Sequence, residues 1–465
     1  MSIPAHFCAI VCCEPLGCAP TNIPFQTKHI TVEWLNQVLR DSKHMGQPAV
    51  LNADESIVDI KVETFAIGEG LLSLMHRITP TYNSANAEKL PKSLVLKLTP
   101  TNLLYRITGS LLSLFKAEHL FYHRNLGPEC GMNTITCYHS DLGEYGRACI
   151  LMEDFAPAKP VDQFKVGFNL EQGKMALTEL AKMHAKYRGK VTTDGKTKDW
   201  ILRRSDKDYF DLVGKEYAKK MVGLEEAYAS YEFDSPDDYK LSHECAMWLK
   251  FNYAESAPIL MNDFRRLRKG GYPNTLTHGD YRAANMVFPS ENSDRFLVYD
   301  FQLLKEGNGM QDVSYCIVSS TTRENRLKYE REYLETYYNA MKELKVDDLT
   351  WKEVLHCYLR ELSTMVIITY FGVVENSFKD KKGVSEEGRN LIKAYLLRIN
   401  DVCKEWKWVE FMNTEHPEKL KSLEYDMPSE KLKEFIPSRY HNLLDAESSN
   451  GNSKDNPLIK EDVDL

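Results

Sequence analysis

The sequence lacks a surplus of positive charge. Its 59 lysines and arginines stand against 67 aspartates and glutamates, a net of −8. Nothing there neutralises a phosphate backbone, so nucleic acid is set aside as a partner. Long apolar runs are missing too. The longest internal uncharged stretch, Leu362 to Val374, has 13 residues, where a membrane span needs about 20; it reads as a buried helix. No heptad is sustained and no internal period occurs, which excludes coiled-coil, collagen and solenoid architectures. Among the 11 cysteines there is no C-x-x-C pair, so the common zinc patterns are absent. Scattered and odd in number, they read as the reduced thiols of a cytoplasmic protein. No basic segment precedes the short apolar run at the start, where the first charge is Glu14, so a secretory leader is not expected.

What is present is an ordinary globular composition, 43% hydrophobic and 27% charged, with enough apolar surface to exclude a largely disordered chain. Cys8, Cys12, Cys13 and Cys18 lie in a Cys/Pro-rich start. A lipid anchor on Cys12 and Cys13 is chemically conceivable, but an unstructured extension is the expectation. Residues 31–40 read as a short helix with Thr31 as N-cap. From Ile57 to about Ser140 the pattern is strand-rich: two strands flank Gly68 and Gly70, and SLVLKL (93–98) is a third, with Lys97 its lone charge. A helix is expected over 110–126, ended by Gly127 and Pro128, then strands at 134–139 and 148–152. Beyond Glu153-Asp154-Phe155 the chain turns helical, at 170–187, 236–268, 323–344, 350–374 and 386–411. Short strands are expected at 275–278, 286–288 and 296–299. The acidic end from about Asp445 reads as disordered.

The most specific segment is LTHGDYRAANMVF (276–288). His278, Asp280 and Asn285 stand as H-x-D-x-x-x-x-N, and Asp300 follows Asn285 by 15 residues, at the end of a strand. That is the spacing of a kinase catalytic loop with its metal-binding aspartate. Phosphoryl transfer needs hard oxygen ligands for Mg²⁺, which Asn285 and Asp300 supply. It also needs an in-line acceptor hydroxyl, whose proton Asp280 can accept. Upstream, Lys97 in an apolar strand calls for a partner, and Glu118, 21 residues on in the next helix, is the natural one. Gly68 and Gly70 lie where backbone amides can approach phosphate; the third glycine of G-x-G-x-x-G is replaced by Ser73.

With these motifs the chain resembles the ecdysteroid-kinase-like and choline-kinase-like branch of the aminoglycoside phosphotransferase superfamily. The likeness runs from about Ile57 to Trp408. It is carried by HGDYRAAN (278–285) and YDFQ (299–302), with GLLSLMHR (70–77), FKAEHLFY (115–122), LMEDF (151–155) and LAKMHA (180–185) around them. The resemblance implies an α+β, two-lobed protein-kinase-like fold, with a small antiparallel-sheet N-lobe carrying one helix and a large, mainly helical C-lobe. It implies that Asp280 is the base, that Asn285 and Asp300 hold Mg²⁺, and that Lys97 and Glu118 set the ATP phosphates. Glu153 to Phe155 would form the adenine-facing hinge, and Asp312 would brace the catalytic loop. Tyr281-Arg282 departs from the Leu-Trp of many relatives. The expected division is a disordered extension (1–25), an ATP-binding N-lobe (26–155), a C-lobe with the acceptor site (156–444) and a disordered acidic tail (445–465).

HGDYRAAN also looks like the catalytic loop of protein tyrosine kinases. Against that, Gln302 replaces the glycine of D-F-G, and Asp312 follows Asp300 after only 12 residues, leaving no room for a peptide-binding activation segment. The 125 residues from Glu153 to His278 offer walls for a small acceptor pocket. The expected function is therefore ATP- and Mg²⁺-dependent phosphorylation of a sterol-, choline- or aminoglycoside-like hydroxyl. The alternative is a pseudokinase-like module that binds without turnover. Trp248, Tyr253, Tyr370, Phe371, Trp406 and Trp408 are either acceptor-pocket walls or, more simply, core. Arg282 either touches the transferring phosphate or faces solvent. His184 and His278 read as structural hydrogen-bonding residues.

Overall fold

The computed structural model describes residues 23–41, 49–65, 73–143, 146–203, 272–291, 294–377, 386–414 and 427–450, with 219, 223–224, 227, 235–237, 240 and 243–251 between. Residues 1–22 of the expected extension, with its four cysteines, and Gly68, Gly70 and Tyr253 lie outside them; its end, 23–25, is described and not disordered, with Ile23 buried in the core. The seven described cysteines carry no disulfide.

Helix α1 (Val32–Arg40) begins at Thr31, whose hydroxyl accepts from the Trp34 amide at 3.2 Å, the expected N-cap. Strands β1 (Ser56–Phe65), β2 (Leu74–Asn83), β3 (Leu94–Leu98), β4 (Cys137–Leu142) and β5 (Ala148–Glu153) form one antiparallel sheet in the order β1-β2-β3-β5-β4. Every residue of β3 is buried, as its central place requires. Strand side chains alternate between faces. Leu94, Leu96 and Leu98 thus pack with Leu35, Val38 and Leu39 of α1, while Val95 joins the second core that continues into the helical lobe.

The helix expected over 110–126 is three: α2 (Leu103–Leu111), α3 (Leu114–His123) and α4 (Leu126–Glu129). Ser113 and Asn125 break it, in left-handed conformation at φ 55° and 57°. The first break folds the Phe115 ring onto Gly109, where an added Cβ would lie 2.5 Å from the ring. Apolar periodicity cannot register such a turn.

In the second lobe, α5 (Leu170–Tyr187) matches its expected span. Asn169 and Gln172 close a reciprocal capping box at its start. Short strands follow: β6 (Leu202–Arg203), β7 (Thr275–Thr277), β8 (Met286–Val287), β9 (Leu297–Val298) and β10 (Lys305–Gly307). Then come α6 (Met310–Ser320), α7 (Arg323–Glu343), α8 (Trp351–Ser377), α9 (Glu386–Glu405), α10 (Trp408–Thr414), α11 (Ser429–Leu432) and α12 (His441–Asn450). The helix expected over 386–411 is broken at Lys407, φ 42°. The break lets Trp406 and Trp408, which a continuous helix would set on opposite sides, both be fully buried. Among the described residues no helix is long and apolar enough to cross a membrane.

The tail expected from Asp445 starts as helix instead: α12 runs to Asn450, and the Glu447 carboxylate accepts from the Trp351 and Lys352 amides at the start of α8. Favourable contact between an acidic side chain and a helix N-terminus holds it there. Below it, Glu330 of α7 is fully buried and takes five donors: Arg326, Tyr358, Trp406, Arg439 and Tyr440. One carboxylate so joins α7, α8, the break between α9 and α10, and the segment before α12.

Candidate active site

The alternation that buries Leu96 and Leu98 against α1 turns Lys97 to the other face of β3, toward α3. Its Nζ lies 2.6 Å from Glu118 Oε2 and 2.8 Å from Asp300 Oδ1. Burial would strip this ammonium of its proton, but the carboxylates of Asp300 and Glu118 outweigh burial and hold Lys97 charged. Burial pushes the Glu118 carboxyl up, to about 7, against the pull of Lys97. Asp300 reaches this cluster because it sits at φ 68°, ψ 62°, a strained conformation for a residue with a Cβ. Next to it Phe301 stacks on Phe121 of α3, centroids 3.5 Å apart. Lys97 thus lies on a central strand in an ion cluster; an edge-strand charge is ruled out.

The loop after β7 is held from beneath by Asp312 of α6. This fully buried carboxylate accepts from the backbone amides of His278 (2.6 Å) and Gly279 (2.9 Å) and from His184 Nε2 (3.2 Å). Burial opposes its ionisation, yet these donors keep Asp312 below the usual carboxylate range. Gly279 has φ +84°, and an added Cβ would stand 2.3 Å from the Leu303 carbonyl oxygen, so no other residue fits. His278 is buried and its basicity falls through desolvation. Its Nδ1 accepts from the Asp280 amide and its Nε2 faces the Tyr299 carbonyl at 3.1 Å, which fixes the neutral Nε2–H tautomer. It and His184, whose Nδ1 meets the Tyr337 hydroxyl at 2.9 Å, are structural, as expected.

Asp280 is flanked on both oxygens. Arg282 Nε donates to Oδ1 and Asn285 Nδ2 to Oδ2, each at 2.9 Å. Burial would raise its pKa, but Arg282, the Tyr315 hydroxyl and Asn285 together lower it, so Asp280 is an ionised acceptor at neutral pH. Strands β8 and β9 pair Met286 with Val298, and the Tyr299 amide donates to the Asn285 carbonyl at 3.2 Å. Asn285 and Asp300 are therefore set at the same end of one hairpin. With its Nδ2 spent on Asp280, Asn285 leaves Oδ1 for another partner; Asp300 gives Lys97 only Oδ1. Two hard oxygens, one amide and one carboxylate, suit Mg²⁺. Among the described residues no cluster of three or more His, Cys, Asp or Glu could hold a metal.

Ser73 stands half-buried before β2. The Glu153 carboxylate is committed to Arg295 and the Thr136 amide, and Phe155 stacks on Tyr299 at 5.3 Å. Sequence reasoning missed Arg77. It pairs with Asp154 at 2.5 Å and lies over Phe65, fastening β1 and β2 to the segment between the lobes; only the neighbouring acid in LMEDF hinted at a partner. Trp248, Tyr370, Trp406 and Trp408 are core, buried to 5% exposure or less; of Phe371 only the backbone is described.

A small sheet lobe bearing a Lys–Glu–Asp cluster, set on a helical lobe bearing an H-x-D-x-x-x-x-N loop, defines a kinase-like protein of two-lobed, protein-kinase-like fold. Residues 67–350, more than half of the chain, match the model of the Ecdysteroid kinase-like family. The chain belongs to that family. Among curated proteins no match is found. Similar solved structures include a choline/ethanolamine kinase family protein from Mesorhizobium loti (11% identity, 80% of this chain and 97% of that one, TM-score 0.43). Others are choline kinase from Cryptosporidium parvum (11%, 76% and 92%, 0.44) and the amicoumacin kinase hAmiN with AMP-PNP and Ca²⁺ (13%, 73% and 88%, 0.42).

Proposed function

We propose that this protein transfers the γ-phosphoryl group of ATP to a hydroxyl of a small organic molecule. The observation that carries the reading is Lys97 bridging Glu118 and Asp300, with Asp300 set beside Asn285 and the Asp280 loop. Lys97 binds nucleotide phosphate, held in place by Glu118. The backbone of 153–155, with Phe155, faces the base, and Gly68, Gly70 and Ser73 cover the phosphates. Asn285 Oδ1 and Asp300 would hold Mg²⁺, which when bound would supply positive charge against the phosphates. Asp280 accepts a hydrogen bond from the acceptor hydroxyl and aims it. The hydroxyl oxygen bonds to the γ-phosphorus, the bond to the β–γ bridging oxygen breaks, ADP leaves, and the proton passes to Asp280. A loose transition state asks for aim more than base strength, which suits a carboxylate of lowered pKa.

Besides His278 and Asn285, the described surroundings of Asp280 include Arg282, Tyr315 and Tyr395. A cationic acceptor would meet a guanidinium there, so a neutral, sterol-like alcohol fits better than choline or an aminoglycoside. The test is ATP consumption against sterols, amino-alcohols and aminoglycosides, for wild type and Asp280→Asn. Turnover should rise with a neutral alcohol and fall by about 10²–10⁴-fold in the variant. If no acceptor lifts wild type above Asp280→Asn, while Mg-ATP still raises the melting temperature, the pseudokinase-like reading takes its place.

A further inference from the structure

Arg282 is an expensive residue for the place it holds. Its side chain is 29% exposed, yet of its five N–H donors only Nε finds an acceptor among the described residues, Asp280 Oδ1. The two terminal nitrogens, Nη1 and Nη2, donate to nothing described. Tethered by Nε alone and partly exposed, this guanidinium keeps four N–H donors open to an incoming anion. Nor does Asp280 need it as an anchor, since Asn285 already ties both the carboxylate and the carbonyl of that residue. The wall behind Arg282 is fixed: the Tyr395 hydroxyl accepts from Gln163 Nε2 at 2.7 Å, and Gln163 Oε1 accepts from the Ala284 amide at 3.3 Å. Arg282 is thus stationed on one oxygen of the proposed base while Asn285, the proposed metal ligand, is stationed on the other. A hydroxyl held by Asp280 would therefore have a cation on one side and the Asn285 amide on the other.

We infer that Arg282 is a further catalytic residue, whose free terminal nitrogens take a non-bridging oxygen of the phosphoryl group in transit from nucleotide to acceptor. The inference rests on the phosphotransferase reading above. Two N–H bonds in a fixed fork match two phosphate oxygens, and as the bond to ADP breaks, charge on the moving group stays opposed by a cation that needs no reorganisation. Metal and Lys97 hold the departing side; Arg282 holds the arriving side.

The experiment compares binding of Mg-ADP and Mg-AMP-PNP by calorimetry for wild type, Arg282→Gln and Arg282→Lys, with ATP turnover alongside. The expected result is that Arg282→Gln weakens AMP-PNP by about tenfold, leaves ADP within about twofold, and cuts turnover by about 10²–10³-fold. Arg282→Lys should recover part of both losses. Equal weakening of the two nucleotides, or no weakening of either, overturns the assignment. Should Arg282→Gln not fold by circular dichroism, Arg282→Lys carries the same comparison, with a smaller but still γ-selective loss expected. If wild type binds neither nucleotide, the phosphotransferase reading falls and this inference with it. If wild type prefers AMP-PNP and Arg282→Gln keeps that preference, this inference alone falls.

Discussion

Lys97 and Asp280 are fixed by opposite means. Lys97 is held side chain to side chain, by carboxylates that arrive from a helix and from a left-handed turn. Asp280 sits on a loop held through its backbone, by one buried carboxylate on two consecutive amides. Side-chain clamps can let go and re-form as phosphate enters, since each charge keeps an alternative partner or can change its proton. A backbone clamp offers no such exit. Under the proposed function, the contrast would put adaptability where nucleotide binds and rigidity where the acceptor is aimed.

Asp312→Ala strikes the rigid side hardest. It strands two buried amides and His184, and should cost about 3–5 kcal/mol of unfolding free energy, read by denaturant titration. The pH dependence follows from the lowered pKa of Asp312. A depressed carboxylate stabilises fully above its unfolded value and loses that contribution as pH falls through its folded one. The stability gap between wild type and Asp312→Asn should therefore hold at neutral pH and close below about pH 4.

Gly279→Ala comes next. The forced clash with Leu303 and the positive φ should cost about 1–3 kcal/mol and lower turnover more than nucleotide affinity; unchanged turnover would break the claim that the loop sets the aim. Lys97→Met tests the other side. Glu118, already pushed up to about 7, can take a proton when the ammonium goes, so stability should fall by less than in Asp312→Ala. Turnover should still drop by about 10²-fold or more. A stability loss equal to that of Asp312→Ala would erase the distinction between the two clamps. Arg77→Ala should do least. It opens a partly exposed ion pair at the hinge, worth about 1 kcal/mol or less, and a calorimetric melting curve should show a shift of only a few degrees.

Much of this was legible. The spacing of His278, Asp280, Asn285 and Asp300 pointed to one cluster, and the structure brings them together on one loop and the hairpin that follows it. Lys97 and Glu118 follow from the cost of a charge in an apolar strand. What stayed hidden depends on conformations that sequence does not advertise. Ser113, Asn125 and Lys407 break helices in left-handed geometry without a glycine to mark it. Arg77 and Arg295 meet their acids across 77 and 142 residues, and surface arginines are too common for pairing to be read from spacing. Arg282 shows the same limit at the site itself: its position in the loop was plain, while its one-sided engagement with Asp280 required coordinates.

The Glu330 hub has a consequence for how the molecule is made. Arg326 lies one turn away, but Arg439 and Tyr440 are encoded 109 and 110 residues later. At a synthesis rate of roughly 5–20 residues per second, a nascent chain carries this carboxylate for on the order of five to twenty seconds before its last donors exist. Through that interval closing α7 on α8 would bury the Glu330 carboxylate with part of its donors missing. The last donors to this fully buried charge of the helical lobe are thus also among the last residues to be made.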